Sequence, residues 1–372
     1  MPKSSQLFQP APTKPTRFHF IDNLRGVAAI AVTLSHLIWL LPFPLTLFEY
    51  GRLGVEIFFV ISGFVMAYSL RNQTINGRFF AKFFLRRSIR LDPPYWVALI
   101  IELIILVLWA APLPDLRTLL LNLAYLQEIF PVYSISSVAW TLCLELQFYL
   151  FFVLLLGFSR FIATRFNLSS KWVHGIIFGI VAVLSMLGGI SWGVHPIFEM
   201  LYIPGLFLPY WHIFFAGVLI NWVLFKKAQP FVLWVYLSIK LLLVFSSGAT
   251  TYFPNDDLSP LFSVLVSCVI YGVGLTSMLK SGMKSKVISY FGRISYSLYL
   301  LHVPIGVNLI YLVEGYFGGR ARFMLPAAAL AFLASVFAAH FMYKYVEEPS
   351  VKLGIRAKSW TMPKFNQEPS TY

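Results

Sequence analysis

Apolar runs of about 17–22 residues recur along this 372-residue chain, and they decide its class. A helix rises about 1.5 Å per residue, so each run is long enough to cross the roughly 30 Å hydrocarbon layer of a bilayer. Inside lipid every backbone N–H and C=O needs an internal partner, which leaves helices or closed barrels. The alternating pattern of a barrel is absent, so helices are expected. Ten spans are read, at roughly 20–41, 54–70, 93–111, 139–157, 173–192, 205–225, 231–248, 260–279, 293–314 and 323–344. Composition agrees: 58% of residues are hydrophobic and 12% charged, against about a quarter charged in soluble domains. A soluble globule, a disordered chain and a disulfide scaffold are excluded. The expectation is an all-α polytopic membrane protein of about ten transmembrane helices. One membrane domain, 18–350, lies between flexible tails, 1–17 and 351–372.

The net charge is +14. Its placement argues against nucleic acid as the partner. Of the 29 Lys and Arg residues, 22 fall in segments that lie inside if the N-terminus is inside, four fall outside, and three lie within spans. That asymmetry puts both termini in the cytoplasm. No secretory signal peptide is visible, and targeting rests on the first span. Cys143 and Cys268 lack metal-ligand spacing and read as buried free thiols; no metal site is expected. The 113–138 segment, with Pro112, Pro114 and Pro131, is a re-entrant or interfacial piece. Asp256–Asp257 read as a solvated turn.

Ionisable groups within spans are costly and mark function by default. They are Arg25, His36, Glu56, Glu102, Glu145, Lys240, Arg293 and His302. Arg25 and His36 stand 11 residues apart on the first span, about three turns, so they share a face with an axial gap of about 16 Å. Glu56 and Glu145 enter from the same side as His36. A carboxylate beside a histidine fixes its tautomer and strengthens it as a base. The plainer reading of His36 is a histidine bonded to a backbone carbonyl, and that of either glutamate is a partner for a buried arginine. Glu102 and Lys240 sit near mid-depth and read as structural, with mutual pairing open. Glu347 and Pro349 are expected to end the last span, with Lys344 snorkelling.

Arg86, Arg87 and Arg90 cluster just before the third span. Guanidinium pairs suit the phosphates of a cytoplasmic donor, although positive-inside anchoring on lipid phosphates is the plainer reading of this feature alone. A cationic entrance below and a histidine with carboxylates above fit transfer of an activated group across the membrane. They fit a proton-coupled transporter or flippase of a glycan or acyl precursor as well.

Five segments in order resemble the acyltransferase family 3 membrane enzymes. They are IDNLRGVAAIAVTLSH at 21–36, GRLGVEIFFVISGF at 51–64, FFLRRSIRLDPPYW at 83–96, VAWTLCLELQFYL at 138–150 and GRISYSLYLLH at 292–302. The resemblance covers about 18–350. It departs at Glu56, where Asp is commoner, and at Thr141 and Leu146. The esterase-like soluble domain fused to some members is not seen.

The resemblance implies a ten-helix O-acyltransferase of the bacterial inner membrane, acting on surface glycans. It implies an acyl-CoA donor, most often acetyl-CoA, as co-substrate and no bound cofactor. His36 is implied as the catalytic base, with Glu145 orienting it and Glu56 second. Arg25, Arg87, Arg90 and Arg86 are implied for the CoA end, and Trp140 and Tyr149 for sugar stacking, where an interfacial aromatic belt is the alternative. His302 and Arg293 are further candidates. The implied acceptor is a glycan or lipid-linked saccharide, with partner proteins of glycan assembly.

Overall fold

The computed structural model describes residues 17–41, 46–71, 73–190, 205–246 and 258–360. Fifteen α-helices are followed among them: α1 (His19–Ile38), α2 (Thr46–Glu49), α3 (Gly54–Leu70), α4 (Gly77–Leu108), α5 (Leu116–Leu123), α6 (Ala139–Arg165), α7 (Ser170–Gly189), α8 (Trp211–Leu224), α9 (Pro230–Ser246), α10 (Ser259–Gly274), α11 (Met278–Ser281), α12 (Lys286–Leu301), α13 (Asn308–Phe317), α14 (Ala321–Met342) and α15 (Glu348–Trp360). No strand occurs among the described residues. Seven continuous helical runs are long and apolar enough to cross a membrane: α1, α3 with its entry turn, α4, α6, α7, Lys286–Phe317 and Arg322–Arg356. The shorter apolar helices α8, α9 and α10 fall where further spans were expected. The outer surface is greasy. Leu108 is 78% exposed and Phe245 74%, which is costly in water and costs nothing against lipid tails. The chain is a multi-pass membrane protein.

Lipid supplies no hydrophobic drive for one helix to meet another, so close backbone packing does the work. A Cβ on Gly26 of α1 would lie 2.6 Å from the Gly292 nitrogen of α12, and one on Gly292 would lie 2.3 Å from the Asp22 carbonyl oxygen. The same device joins α3 to α8 antiparallel. A Cβ on Gly63 would meet the Phe214 oxygen at 1.8 Å, and one on Gly217 the Val60 oxygen at 1.9 Å. Around this second contact the rings of Phe59 and Phe148 stack on Phe214 from two sides, at 4.4 and 4.2 Å.

Three expectations change. Pro93 and Pro94 do not open the third span. They lie inside α4, a single 32-residue helix that also carries Arg86, Arg87 and Arg90. The last span does not end at Glu347 and Pro349. The helix widens into a π-turn at Tyr343–Glu347 and continues as α15, packed on α4. Pro349 follows the π-turn directly, and the widened turn accommodates its ring and missing N–H within the continuing helix. Residues 351–360, assigned to a flexible tail, are therefore helical. Asp256–Asp257 and the rest of both tails, apart from Arg17, lie outside the described residues.

The 113–138 segment folds back along α4. Asp115 caps α5 by accepting from the Thr118 N–H at 2.8 Å. Asn122 is fully buried and holds the return. Its amide donates to the Thr118 and Tyr133 carbonyls, its oxygen accepts from the Ile135 N–H, and its own carbonyl accepts from the Tyr95 hydroxyl. Tyr125 then reaches Asp92, 16 residues or about 24 Å below the far end of α4.

Candidate active site

A cavity of about 770 Å³ lies between α1, α3, α4, α6 and α12. Arg25 enters it from α1, and Arg87 and Arg90, one turn apart, from α4. Glu145 and Tyr149 enter from α6, and Tyr296 and Tyr299 from α12. A second cavity of about 710 Å³ shares Arg87, Glu145, Tyr149 and Tyr296 and runs on to Asp92 and Tyr125. In the first cavity three guanidiniums face one lining carboxylate. Among the described residues none of the three closes an ion pair.

These arginines are oriented by weaker contacts. The Arg87 guanidinium lies 3.7 Å from the Tyr149 ring centroid and 5.6 Å from that of Phe83. Tyr149 and Ser62 both donate hydroxyl hydrogen bonds to the same Glu145 oxygen. Glu347, buried on the π-turn, accepts from Ser297 at 2.6 Å and turns its charge toward Arg25 and Arg90. The cavity thus holds concentrated positive charge without fully neutralising it, which suits a polyanion.

His36 and His302 form a pair at one end of this arrangement. Gly26 meets Gly292, and ten residues further along each helix His36 meets His302. The two helices therefore run parallel and in register for about 15 Å. His36 Nδ1 lies 2.9 Å from the Val32 carbonyl oxygen and 3.3 Å from His302 Nε2. His302 Nδ1 lies 3.2 Å from the Leu298 carbonyl oxygen. The ring of Tyr299, a cavity wall, sits 5.7 Å from that of His302. Its hydroxyl is pinned by Thr141 at 2.7 Å.

His36 lines neither cavity. A Cβ on Gly54 would lie 2.8 Å from both the Ala28 oxygen and the Val32 side chain, and Val55 is the cavity residue beside it. From α1 the cavity takes Arg25, and it comes beside the histidine pair through Tyr299, whose ring lies 5.7 Å from that of His302.

The candidates divide. Arg25, Arg87, Arg90, Glu145 and Tyr149 come together. His36 and His302 come together further along α1 and α12, about three turns beyond Arg25. Glu145 is not the partner of His36; it holds Ser62 and Tyr149 instead. Glu56 is no partner of His36 either. It accepts from Ser259 at 2.6 Å and faces the charge of Lys240, which bonds Ser263. Lys240 therefore meets Glu56 rather than Glu102. Arg86 lines neither cavity, and Arg293 is exposed over Tyr290. Trp140 lines neither cavity and packs on Tyr210 and on Phe59, a residue of the first cavity's wall.

Residues 18–344 match the Acyl_transf_3 family model, described as an acyltransferase domain. The chain belongs to that family. It is 26% identical over 291 residues to ORF330 of Acidianus two-tailed virus, which is named as an acetyltransferase; the match covers 76% of this chain and 82% of the viral one. It is 24% identical to the acyltransferase MdmB of Streptomyces mycarofaciens, with 92% of this chain and 94% of that one covered. A protein of Staphylococcus aureus (strain COL) named as an O-acetyltransferase is 25% identical over 91% of this chain, which spans 58% of that longer protein. No solved structure matches the chain.

The protein is therefore an acyltransferase, and its reaction needs an acyl donor and an acceptor. Sequence reasoning passed over several residues at or beside the cavities: Ser62, Tyr296, Tyr299 and Glu347. Glu347 looked like a helix end because Pro349 follows it. The His36–His302 pairing had a signal, since Gly26 and Gly292 each stand ten residues before a histidine.

Proposed function

We propose that this enzyme moves an acetyl group from acetyl-CoA, entering from the cytoplasm, to a hydroxyl of a cell-surface or lipid-linked glycan at the outer face of the bacterial inner membrane. The observation that carries the reading is the gathering of Arg25, Arg87 and Arg90 at a cavity whose wall residue Tyr299 packs against His302, the neighbour of His36. The CoA phosphates sit on the guanidiniums. The long, thin pantetheine arm follows the cavity past Glu145 and Tyr149, and the thioester reaches the histidine.

His36 Nε2 takes the acceptor hydroxyl proton as that oxygen attacks the thioester carbonyl. The tetrahedral intermediate collapses, the C–S bond breaks, and the leaving CoA thiolate takes the acceptor's proton from Nε2. The products are the O-acetyl ester and free CoA. Val32 holds the Nδ1–H so that Nε2 carries the lone pair. Glu145 keeps Tyr149 beneath Arg87 and so serves the donor end. Trp140 remains the candidate for the acceptor sugar. The transporter alternative is set aside by family membership.

Purified protein in bilayers, given labelled acetyl-CoA and a lipid-linked saccharide extract, tests this directly. Label should pass to the saccharide fraction, and CoA should raise the melting temperature in the wild type but not in Arg87→Ala or Arg90→Ala. A thermal response to CoA that both variants retain removes the arginines from the donor site.

A further inference from the structure

We propose that His302 is a positioning residue for His36, a neutral imidazole standing where many base–nucleophile systems place a carboxylate. The inference rests on His36 being the base, as read above. It follows from what each atom near the two rings can do.

A backbone carbonyl only accepts hydrogen bonds. His36 Nδ1 lies 2.9 Å from the Val32 oxygen, so that nitrogen carries the hydrogen. His302 Nδ1 lies 3.2 Å from the Leu298 oxygen, so it too carries the hydrogen. A neutral His302 then has its lone pair on Nε2, and Nε2 lies 3.3 Å from His36 Nδ1. All three contacts are satisfied by one assignment of protons: the His36 Nδ1–H is shared between Val32 and His302. The opposite tautomers would set lone pairs against two carbonyl oxygens.

The surroundings hold this assignment. His302 is 0% exposed, so water does not compete for Nε2. It opens a π-turn, His302–Val307, that contains Pro304, an irregularity often found where a helix re-aims a functional side chain. The ring of Tyr299 closes the cavity side. When His36 gains the acceptor's proton, its Nδ1–H still points at a neutral acceptor. A carboxylate there would hold the imidazolium tightly. An uncharged ring fixes orientation while letting His36 return the proton to the leaving thiolate.

The test uses full-length protein labelled with ¹⁵N-histidine in bilayers. The His36 signals are identified by their loss in His36→Gln. In the wild type the His36 Nδ1–H proton should correlate with His302 Nε2, and His302 Nε2 should resonate as an unprotonated nitrogen. A protonated His302 Nε2, or no correlation, overturns the proposal whatever the turnover of the variants. In turnover, His302→Phe should lower kcat roughly 10- to 100-fold with the KM for acetyl-CoA unchanged. His302→Gln, whose amide oxygen accepts the same bond, should recover most of that loss. Equal rates for the Phe variant and the wild type also overturn it. If the wild type transfers nothing from acetyl-CoA, the functional reading fails, while the nitrogen correlation still reports on the pair.

Discussion

The Arg87 guanidinium lies over the Tyr149 ring, 3.7 Å from its centroid, while the Tyr149 hydroxyl is held by Glu145. Ring and hydroxyl thus do separate jobs. Removing the hydroxyl alone, in Tyr149→Phe, should leave CoA binding within about 3-fold of wild type. Removing the ring, in Tyr149→Leu, forfeits a desolvated cation–π contact of about 2 kcal/mol and should weaken CoA binding roughly 10- to 30-fold. Calorimetric titration with CoA separates the two.

Arg87→Lys should not restore what Arg87→Ala loses. An ammonium cannot lie flat on Tyr149 or grip a phosphate with two parallel donors. The same titration should show Lys closer to Ala than to Arg, by less than about 3-fold.

The helix contacts can be tested at their glycines. Gly292→Ala and Gly63→Ala each drive a methyl group into backbone, at 2.3 and 1.8 Å. Each should destabilise the protein by about 1–3 kcal/mol or more. Gly175 on α7 has nothing within 4 Å of its would-be Cβ, so Gly175→Ala should be neutral or slightly stabilising. Thermal unfolding of the three variants in one detergent is the check. Equal behaviour of all three would mean that α1–α12 and α3–α8 are not in backbone contact.

How much of this was legible in the sequence follows from the physics of each feature. The helical membrane class was legible, because lipid permits few backbone solutions and apolar length is written directly in the chain. The grouping of Arg25, Arg87 and Arg90 was legible, since unneutralised guanidiniums near a span are costly, and the three do line one cavity. Partner choice was not. Glu145 and Glu56 were each expected beside His36, yet a carboxylate's neighbour depends on helix rotation, which α3 and α6 set through aromatic packing on Phe214. Arg293 lies within the membrane-length run Lys286–Phe317 but is exposed over Tyr290 and lines neither cavity, again a matter of helix rotation. Glu347 was hidden because a π-turn carries the chain past a proline that normally stops a helix.

Glu56 and Lys240 are buried, at 1% and 0% exposure, with their charges facing one another. Breaking such a pair leaves one buried charge uncompensated, at a cost of about 3–5 kcal/mol. Glu56→Gln and Lys240→Met should each be strongly destabilising, and the double variant should be more stable than either. A double-mutant cycle on unfolding reads this, and strict additivity would show that the two do not interact.

Asn122 joins three backbone groups of the returning segment by its side chain alone. Asn122→Leu keeps the volume but leaves buried donors and acceptors unpaired, at about 1–3 kcal/mol each. Amide exchange should accelerate across 116–138 while α1 and α12 stay protected. Unchanged exchange in that segment would contradict its role as the strut.

The central claim is that His36 performs the transfer on a donor held elsewhere. Single-turnover transfer of labelled acetyl groups, with enzyme in excess over acetyl-CoA in bilayers, isolates that step. The account predicts that His36→Ala binds CoA as the wild type does, with the transfer rate reduced about 10²- to 10⁴-fold. Transfer by His36→Ala at the wild-type rate would contradict it.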